Sequence, residues 1–366
     1  MKRRLLPATL VVVLCGASTP ALASTDGTVA RMSLREKVGQ LVMFSVAGTS
    51  LGSTERDVIE RHHLGGVILF SHNYRDRDQL QRLTRQIRRA ARRGNRQSIG
   101  ALISVDQEGG PVKRFSDMPP HYSAPQMGAA EGTWLSWDQG KATGRALAAN
   151  GVNVDLAPVA DLDLPPNHVM RSRSFGSRPK KVGRRARSFA RGLQARRVAA
   201  SLKHFPGLGG ADVNSDDGRA YVRRSRWQLH NVDAIPFRRA INGGARMVML
   251  SHAIYVNDGG SRPASLNRYI ATRRLRQEFG FEGVSISDAL EPVSWKFGGD
   301  VPRTCKATIR AGVDIALITG RADVARRCAK KIRNAVRSGA ISKRQLDRSV
   351  ERIVSLKTWL KVGPRS

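Results

Sequence analysis

The sequence predicts an α/β fold, built as a single (β/α)₈ TIM-type barrel. Eight short apolar runs, rich in β-branched residues, alternate along the chain with segments of helical period. Most of these runs are continuous rather than alternating, as in parallel strands that are buried on both faces. No linker or change of composition divides positions 24–366, which favours one domain.

Each apolar run is bounded by glycine or polar residues, as expected of a short buried strand. An open doubly wound sheet would show the same alternation and is the structural alternative. A dinucleotide-binding sheet of that kind needs a glycine-rich turn after its first strand, and Gly48 and Gly52 have the wrong spacing for one. The candidate strands are 38–46, 66–70, 101–105, 152–156, 199–202, 246–250, 283–286 and 313–318.

The segments between the strands repeat apolar residues every three or four positions, which is typical of helices packed on one face. Two more such segments close the chain after the last strand. Ser342 and Gln345 have the spacing of a capping box for the final helix. The apolar positions are Leu80, Leu83 and Ile87; Val182, Ala186, Phe189 and Leu193; Val324, Cys328, Ile332 and Val336; and Leu346, Val350, Ile353 and Leu356.

The composition is that of a globular protein, with 366 residues of which 40% are hydrophobic and 25% charged, so a disordered or collagen-like chain is excluded. The charge is unusual, because 63 Lys and Arg face 29 Asp and Glu, a net charge of +34. This excess is spread along the chain and favours anionic surroundings, such as acidic envelope polymers. Aromatic residues make up 5%, too few for a base-stacking surface, so no nucleic acid partner is expected.

The first 23 residues have the pattern of a secretory signal peptide. Lys2, Arg3 and Arg4 precede an apolar stretch over 5–14, and Ala21 and Ala23 fit a small-residue cleavage site. The apolar stretch is short for a membrane span, although an uncleaved anchor remains an alternative. We therefore expect the domain to occupy 24–366 in a secreted or envelope protein, with no transmembrane segment after cleavage.

Export bears on the cysteines, because Cys15 would leave with the signal. Cys305 and Cys328 then remain, and a disulfide and two buried thiols are both compatible with the sequence. Two cysteines without a histidine cluster make a poor zinc site, so no metal and no other cofactor is expected.

Polar residues collect at the predicted strand ends, where a barrel of this type carries its chemistry. Carboxylates among Lys, His and Arg, without a metal cluster or a phosphate loop, suit glycoside hydrolysis. No Gly-x-Ser-x-Gly elbow indicates serine hydrolase chemistry. The strand-end residues are Asp106, Gln107, Glu108 and Arg114; Asp161 and Asp163; Lys203 and His204; Ser251 and His252; and Ser287 and Asp288.

Six motifs in this order resemble the catalytic barrel of glycoside hydrolase family 3, over about 34–356. Within that family the chain is similar to the single-domain β-N-acetylglucosaminidases of bacterial cell-wall metabolism. The motifs are VGQL at 38–41, GGVILF at 65–70, DQEGG at 106–110, RSFG at 173–176, KHFPG at 203–207 and SDAL at 287–290.

The resemblance implies roles for individual residues. Asp288 matches the family nucleophile, which forms a covalent glycosyl intermediate with retention of configuration. Asp106 matches the residue that binds sugar hydroxyls in the −1 subsite. A core imidazole for His204 and an ion pair with a neighbouring Asp for Arg173 are the structural alternatives. The positions that match substrate contacts are Arg114, Arg173, Lys203 and His204.

One loop departs from the resembling enzymes, in which an Asp-Ser-His triplet supplies an Asp-His acid/base dyad. Here Asn214, Ser215 and Asp216 occupy that place, so the dyad is absent as written. Three interpretations follow. Asp216, or less favourably Asp217 or Asp212, donates the proton with a raised pKa. Alternatively, turnover is weak and confined to activated substrates, or the barrel binds glycans without cleaving them.

These observations lead to one expected function. The chain would be an exported, monomeric, retaining β-N-acetylhexosaminidase that removes terminal β-linked N-acetylglucosamine from cell-wall-type glycans such as peptidoglycan fragments. Another exo-β-glycosidase, such as a β-glucosidase, and a catalytically weak or inactive envelope glycan-binding barrel are the alternatives.

Overall fold

Eight parallel strands form the centre of the molecule, in a computed structural model that describes residues 23–297 and 299–364. They lie in the order β7-β6-β5-β4-β3-β2-β1-β8, and a parallel bridge between Ile286 and Ile315 joins the two ends. The predicted α/β barrel is therefore confirmed. The strands are β1 (Val42–Ser45), β2 (Gly66–Leu69), β3 (Leu102–Val105), β4 (Val154–Asp155), β5 (Ala199–Phe205), β6 (Met247–Leu250), β7 (Val284–Ser287) and β8 (Ala316–Leu317).

The helices surround the strands and cover their outer faces, so strand side chains are buried on both sides. All four predicted helical patterns are confirmed. The α-helices are Ala23–Arg31, Leu34–Gln40, Ser53–His62, Arg77–Arg93, Ala124–Ala129, Trp134–Ala149, Pro179–Gln194, Arg226–Gln228, Ile235–Ile241, Leu290–Lys296, Val301–Ala311, Ala322–Arg337 and Lys343–Trp359. Wider π-helical turns form Leu229–Asp233 and Tyr269–Glu278, and 3₁₀ turns form Ser71–Asn73 and Ala264–Leu266.

Two pairs of short strands lie outside the barrel sheet. Gln107–Gly109 pairs with Val112–Lys113 in antiparallel fashion directly after β3. Tyr221–Val222 pairs with Ile254–Tyr255 and joins the loops that follow β5 and β6. Both pairs therefore shape the end of the barrel at which the strands finish.

The first predicted strand is wrong over its first part, because 38–40 belongs to the helix Leu34–Gln40. Ser33 starts this helix with a full capping box. Its hydroxyl accepts from the Glu36 N–H at 3.3 Å, and the Glu36 carboxylate accepts from the Ser33 N–H at 2.8 Å. The cap favours helix over the extended form that the apolar residues suggested, and β1 begins only at Val42.

Other strand boundaries also differ from the predicted ones. β5 runs on through Phe205, so Lys203 and His204 lie in the strand rather than after it. β4 and β8 are two residues long each, shorter than their apolar runs. At the final helix the capping box is half formed. The Ser342 hydroxyl accepts from the Gln345 N–H, but the Gln345 side chain donates to the Ile309 carbonyl instead.

A disulfide joins Cys305 and Cys328, which resolves the alternative left open by the sequence. It links the neighbouring helices Val301–Ala311 and Ala322–Arg337 on either side of β8, with a Cα–Cα distance of 5.8 Å. Both cysteines are fully buried.

The predicted signal peptide at 1–23 lies, apart from its last residue, outside the described residues. Within the described part, no helix is both long and apolar enough to cross a membrane.

Candidate active site

Ionisable side chains from β3, β5 and β7 meet where these strands end. Asp106 follows β3, Lys203 and His204 are the last polar residues of β5, and Asp288 follows β7. The strands are parallel, so their carboxyl ends share one rim of the barrel. The structure thus brings together four of the residues that the sequence singled out.

Lys203 is the centre of a buried ionic cluster. Its Nζ lies 2.5 Å from a carboxylate oxygen of Asp106 and 2.7 Å from one of Glu108. Arg173 donates to both Glu108 oxygens, at 2.9 Å from Nε and 2.7 Å from the terminal nitrogen. The ion pair that was the structural alternative for Arg173 is therefore present, and its partner is a glutamate instead of the predicted aspartate. Such a bidentate pair holds Arg173 in one orientation.

The charges of this cluster keep its members ionised despite burial. Burial favours the neutral form of Glu108, but the charges of Lys203 and Arg173 outweigh it and lower the pKa of Glu108 to about 2. Burial likewise opposes the charge of Lys203, and Asp106 and Glu108 more than compensate, so its pKa is raised. The cluster therefore presents fixed charges and donors to a bound sugar.

His204 connects a buried carboxylate with Asp288. Its Nδ1 lies 2.7 Å from Asp161, whose carboxylate also accepts the backbone N–H groups of His204 and Leu208. Because a carboxylate only accepts, Nδ1 carries a proton, and Nε2 faces Asp288 at 3.9 Å. His204 is thus a buried imidazole with one ring nitrogen held in place and the other directed at the site.

Asp288 is the ionised carboxylate of the site. Burial acts to raise its pKa, but His204, His252 and Lys203 together lower it below the usual value. The Ala289 N–H donates to Oδ1 at 2.8 Å and fixes one oxygen. The side chain keeps 19% of its surface exposed, so a ligand at the barrel mouth can reach it.

His252 supports the peptide next to Asp288. Its Nε2 donates to the Ala289 carbonyl at 2.7 Å, and its Nδ1 pairs with the Ser265 hydroxyl at 2.7 Å. Burial lowers the pKa of His252 although the charge of Asp288 opposes this. With the Nε2 proton directed at the Ala289 carbonyl and Nδ1 beside the Ser265 hydroxyl, both ring nitrogens are satisfied.

Asp216 lies on the loop after β5 and is exposed at the rim of the barrel. The charge of Asp288 is the main cause that raises the pKa of Asp216, and partial shielding by protein atoms adds to it. Lys296 donates to the carbonyls of Ser215 and Asp216, both at 2.7 Å, and so ties this loop to the helix that follows Asp288. The two carboxyls are therefore electrostatically linked.

The other candidate acids on this loop lie in different surroundings. The Asp212 carboxylate accepts the Tyr221 N–H at 2.8 Å and belongs to the pairing of the loop with that short strand. Asp217 is exposed and has no side-chain contact of its own among the described residues. Asp216 is the carboxyl that interacts with Asp288.

Arg114 is not part of the Lys203 cluster. Its guanidinium lies over the Phe70 ring, 5.6 Å from the ring centre, at the end of β2. Its buried Nε has no hydrogen-bond partner among the described residues, so it retains a free donor. This leaves Arg114 as a candidate contact at the edge of the site.

Sequence reasoning did not assign Glu108, Asp161 or His252 a role. Each holds another group in place: Glu108 orients Lys203 and Arg173, Asp161 orients His204, and His252 holds the peptide beside Asp288. Asp155, at the end of β4, was also missed, and burial raises its pKa well above the usual value. A signal was present, because Glu108, Asp161 and His252 stand at or just after strand ends.

Comparisons with known proteins identify the family of the chain. The model of the glycosyl hydrolase family 3 N-terminal domain matches residues 33–356. The β-hexosaminidase of Alkalilimnicola ehrlichii is 36% identical over 284 residues, covering 76% of this chain and 80% of the relative. β-Hexosaminidase A of Pseudoalteromonas piscicida is 32% identical over 343 residues, covering 86% of this chain and 56% of the relative.

Solved structures show the same barrel. A family 3 β-N-acetylglucosaminidase from a Paenibacillus species superimposes with a TM-score of 0.86 at 32% identity, covering 92% of this chain and 64% of that one. A β-N-acetylhexosaminidase from Beutenbergia cavernae gives 0.80 at 27% identity, covering 90% and 99%. The chain thus spans little more than half of some relatives and nearly all of others. It belongs to glycosyl hydrolase family 3, in which the relatives named above are β-hexosaminidases and β-N-acetylglucosaminidases.

Proposed function

We propose that the chain is a retaining exo-β-N-acetylhexosaminidase, with Asp288 as nucleophile and Asp216 as general acid/base. The observation that carries this proposal is the position of Asp288 at the barrel mouth, 3.9 Å from His204 Nε2, and the pKa values of Asp288 and Asp216 are shifted in opposite directions. The pKa of Asp288 is lowered, and that of Asp216 is raised chiefly by the charge of Asp288. Two carboxyls whose surroundings separate their pKa values in this way are suited to the nucleophile and acid roles of a retaining glycosidase.

The proposed reaction has two steps. In the first, an Asp288 oxygen bonds to the anomeric carbon while the glycosidic bond breaks, and Asp216 transfers its proton to the leaving oxygen. In the second, Asp216 takes a proton from water as the water attacks the same carbon, and Asp288 is released. Two inversions at one carbon give net retention.

The remaining polar groups bind and position the sugar. Asp106 accepts hydrogen bonds from sugar hydroxyls. Lys203 and Arg173, which are held in fixed positions, donate hydrogen bonds to oxygens of the sugar. Because these donors are held before the substrate arrives, they need no reorganisation as charge develops in the transition state. His204 Nε2 faces Asp288 at 3.9 Å and is placed to contact a hydroxyl of the same ring.

The sugar and the location are also proposals. The names of the relatives support N-acetylhexosamine as the sugar, and the pattern of residues 1–23 supports export to the envelope. A terminal β-linked N-acetylglucosamine of a peptidoglycan fragment satisfies both. A β-glucoside is the second sugar to test, because the loop at 214–216 departs from the N-acetylglucosaminidase pattern.

A single set of measurements tests this function. The purified protein is incubated with 4-nitrophenyl β-N-acetylglucosaminide and the matching β-glucoside, and the first-formed anomer is read by proton NMR. We expect release from the N-acetyl substrate with a β product, and loss of at least about 10³-fold in Asp288→Asn. Asp57→Asn, which removes a carboxylate of the outer helix Ser53–His62 that pairs with Arg61, serves as the control.

Each alternative has its own outcome. Preference for the β-glucoside would replace the sugar assignment but keep the mechanism. An α product would exclude a covalent intermediate on Asp288. Turnover that is equal in wild type and Asp288→Asn would remove Asp288 from the nucleophile role. Turnover that is absent in both while glycan binding persists would favour the glycan-binding barrel.

A further inference from the structure

Outside the active site, a groove on the outer wall of the barrel collects three arginines. It has a volume of about 680 Å³ and runs between the loop after β6 and the helix Val301–Ala311. Arg262 stands on the loop, Arg268 directly before the helix Tyr269–Glu278, and Arg310 near the end of Val301–Ala311. Three separate elements therefore each contribute an arginine to the lining of one cavity.

These arginines have no counterion in the protein. Within residues 23–297 and 299–364, none of the three forms an ion pair or a side-chain hydrogen bond, and all three are exposed. The groove is lined by Gly, Ser, Leu, Asn, Ala and Arg, and no carboxylate of the described chain is among its lining residues. Like charges repel, so their gathering in one cavity costs free energy until an anion enters.

The nearest carboxylate along the chain is already committed elsewhere. Asp258 is buried and forms an ion pair with Arg274, which is itself fully buried. The Tyr269 hydroxyl also donates to Asp258, at 3.1 Å. The negative charge of Asp258 is therefore neutralised inside the wall and is not available to the groove.

The loop that carries Arg262 is held in a defined shape. The Asn267 amide donates to the Gly259 carbonyl at 2.6 Å, and its oxygen accepts the Tyr269 N–H at 2.9 Å. Gly259 and Gly260 have φ values of 111° and 86°, which glycine adopts at little cost, so the loop can turn back towards the helix. The groove thus exists before a ligand binds.

We propose that this groove is a binding site for a phosphate-type oxyanion with several negative charges. Arginine suits such a ligand, because its planar donors match phosphate oxygens in pairs and its charge is never lost. The same phosphate chemistry could come from a free phosphate ester or from a phosphate-containing polymer of the surroundings. No residue of the candidate active site lines this groove, so the proposal does not depend on the proposed reaction.

The test separates this site from general attraction to a basic protein. Inorganic tripolyphosphate is titrated calorimetrically into the full chain at about 150 mM salt, where exposed long-range charge is largely screened. The variant R262Q/R268Q/R310Q is compared with R82Q/R85Q/R89Q, which removes the same charge from the outer face of the helix Arg77–Arg93.

We expect one saturable site in the wild type, weakened at least about tenfold by the groove variant and less than about twofold by the control. The single variant R310Q, on a helix surface, should already weaken binding, and it guards against misfolding of the triple variant. Equal weakening by both triple variants, or no saturation in the wild type, would overturn the proposal.

Two further titrations identify the source of the phosphate. Saturation by orthophosphate in the millimolar range assigns the groove to free phosphate groups. Saturation by tripolyphosphate and long-chain polyphosphate, but not by orthophosphate, assigns it to a polymer. Hydrolysis of the aryl glycoside should be the same in both triple variants and the wild type, so failure of this proposal leaves the proposed function intact.

Discussion

The pKa difference between Asp288 and Asp216 arises at the scale of single residues. Asp288 is stabilised as an anion by His204, His252 and Lys203, and its charge in turn favours the protonated form of Asp216. The raised pKa of Asp216 depends chiefly on Asp288, whereas the lowered pKa of Asp288 depends on the two histidines and the lysine. In the proposed mechanism, the charge of the nucleophile therefore helps to keep the acid protonated, without a histidine partner.

Replacing Asp216 by Asn should affect substrates according to their leaving groups. We expect kcat/KM for a natural disaccharide to fall by about 10²–10⁴-fold, because its leaving oxygen needs the proton. A 2,4-dinitrophenyl glycoside needs none, so its kcat/KM should change little. Azide needs no general base and should restore turnover, giving a glycosyl azide. Steady-state kinetics on both substrates provide the measurement.

Asp217→Asn is the matched control, since it removes a neighbouring exposed carboxylate from the same loop. It should behave as the wild type with both substrates. If Asp217→Asn or Asp212→Asn shows the leaving-group dependence instead, the acid has been assigned to the wrong carboxyl. If none of the three does, turnover proceeds without a loop carboxyl.

The pH dependence follows from the same two shifts. Asp288 must be ionised and its pKa is lowered, so activity should persist to low pH. Asp216 must be protonated in the first step, so kcat/KM should decline as pH rises through its raised pKa. Asp216→Asn should abolish this alkaline decline while leaving the acidic limb. An unchanged alkaline limb in pH–rate profiles would contradict the assignment.

The sequence predicted single residues of the site better than their partners. Asp106, Lys203, His204 and Asp288 were identified because they end strands, and strand ends share one rim. Glu108 and Asp161 act through ion pairs with residues 65 and 43 positions away, respectively. Such pairs depend on distances in the folded barrel, which periodicity and spacing do not contain.

At the scale of elements, the pattern of apolar residues predicted all eight strands but not the residues at which they begin and end. The run at 38–46 reads as one strand, yet the capping box at Ser33 carries a helix through Gln40. β5 extends past its apolar run because Lys203 and His204 find charged partners inside the barrel. Local hydrogen bonds and tertiary ion pairs decided these boundaries, and neither is visible in hydrophobicity alone.

The disulfide between two barrel helices supports a prediction at the same scale. Cys305 and Cys328 are 23 residues apart, and closing a loop of that length restricts the unfolded chain. We expect Cys305→Ala/Cys328→Ala to lower the free energy of unfolding by about 3 kcal/mol. Urea denaturation followed by circular dichroism measures this.

Reduction of the wild type provides the control for the disulfide. A reducing agent in the denaturation buffer should lower the stability of the wild type towards that of the double variant, and leave the double variant unchanged. Wild-type and variant curves that coincide under oxidising conditions would show that the crosslink contributes nothing.

For the molecule as a whole, the second helix, Leu34–Gln40, and the final helix, Lys343–Trp359, meet through a buried lysine. Lys357 of the final helix is 1% exposed, and its Nζ donates to the Gln40 side chain at 2.5 Å. Burial alone lowers the pKa of Lys357 to about 7. The contact between these two helices therefore buries a charge at neutral and acidic pH that no carboxylate among the described residues offsets.

The burial of Lys357 makes the free energy of unfolding depend on pH. The lysine has a pKa of about 7 in the folded state and about 10.4 in the unfolded state, so between these values the unfolded chain binds more protons. The free energy of unfolding should therefore rise as pH increases from about 7 to 10 through this group. Lys357→Met should raise stability at pH 7 by about 1–2 kcal/mol and remove that part of the slope.

Urea denaturation at intervals from pH 6 to 10 measures both, with Lys343→Met, an exposed lysine of the same helix, as the control. A slope that Lys357→Met leaves intact would show that Lys357 keeps an ordinary pKa in the folded protein.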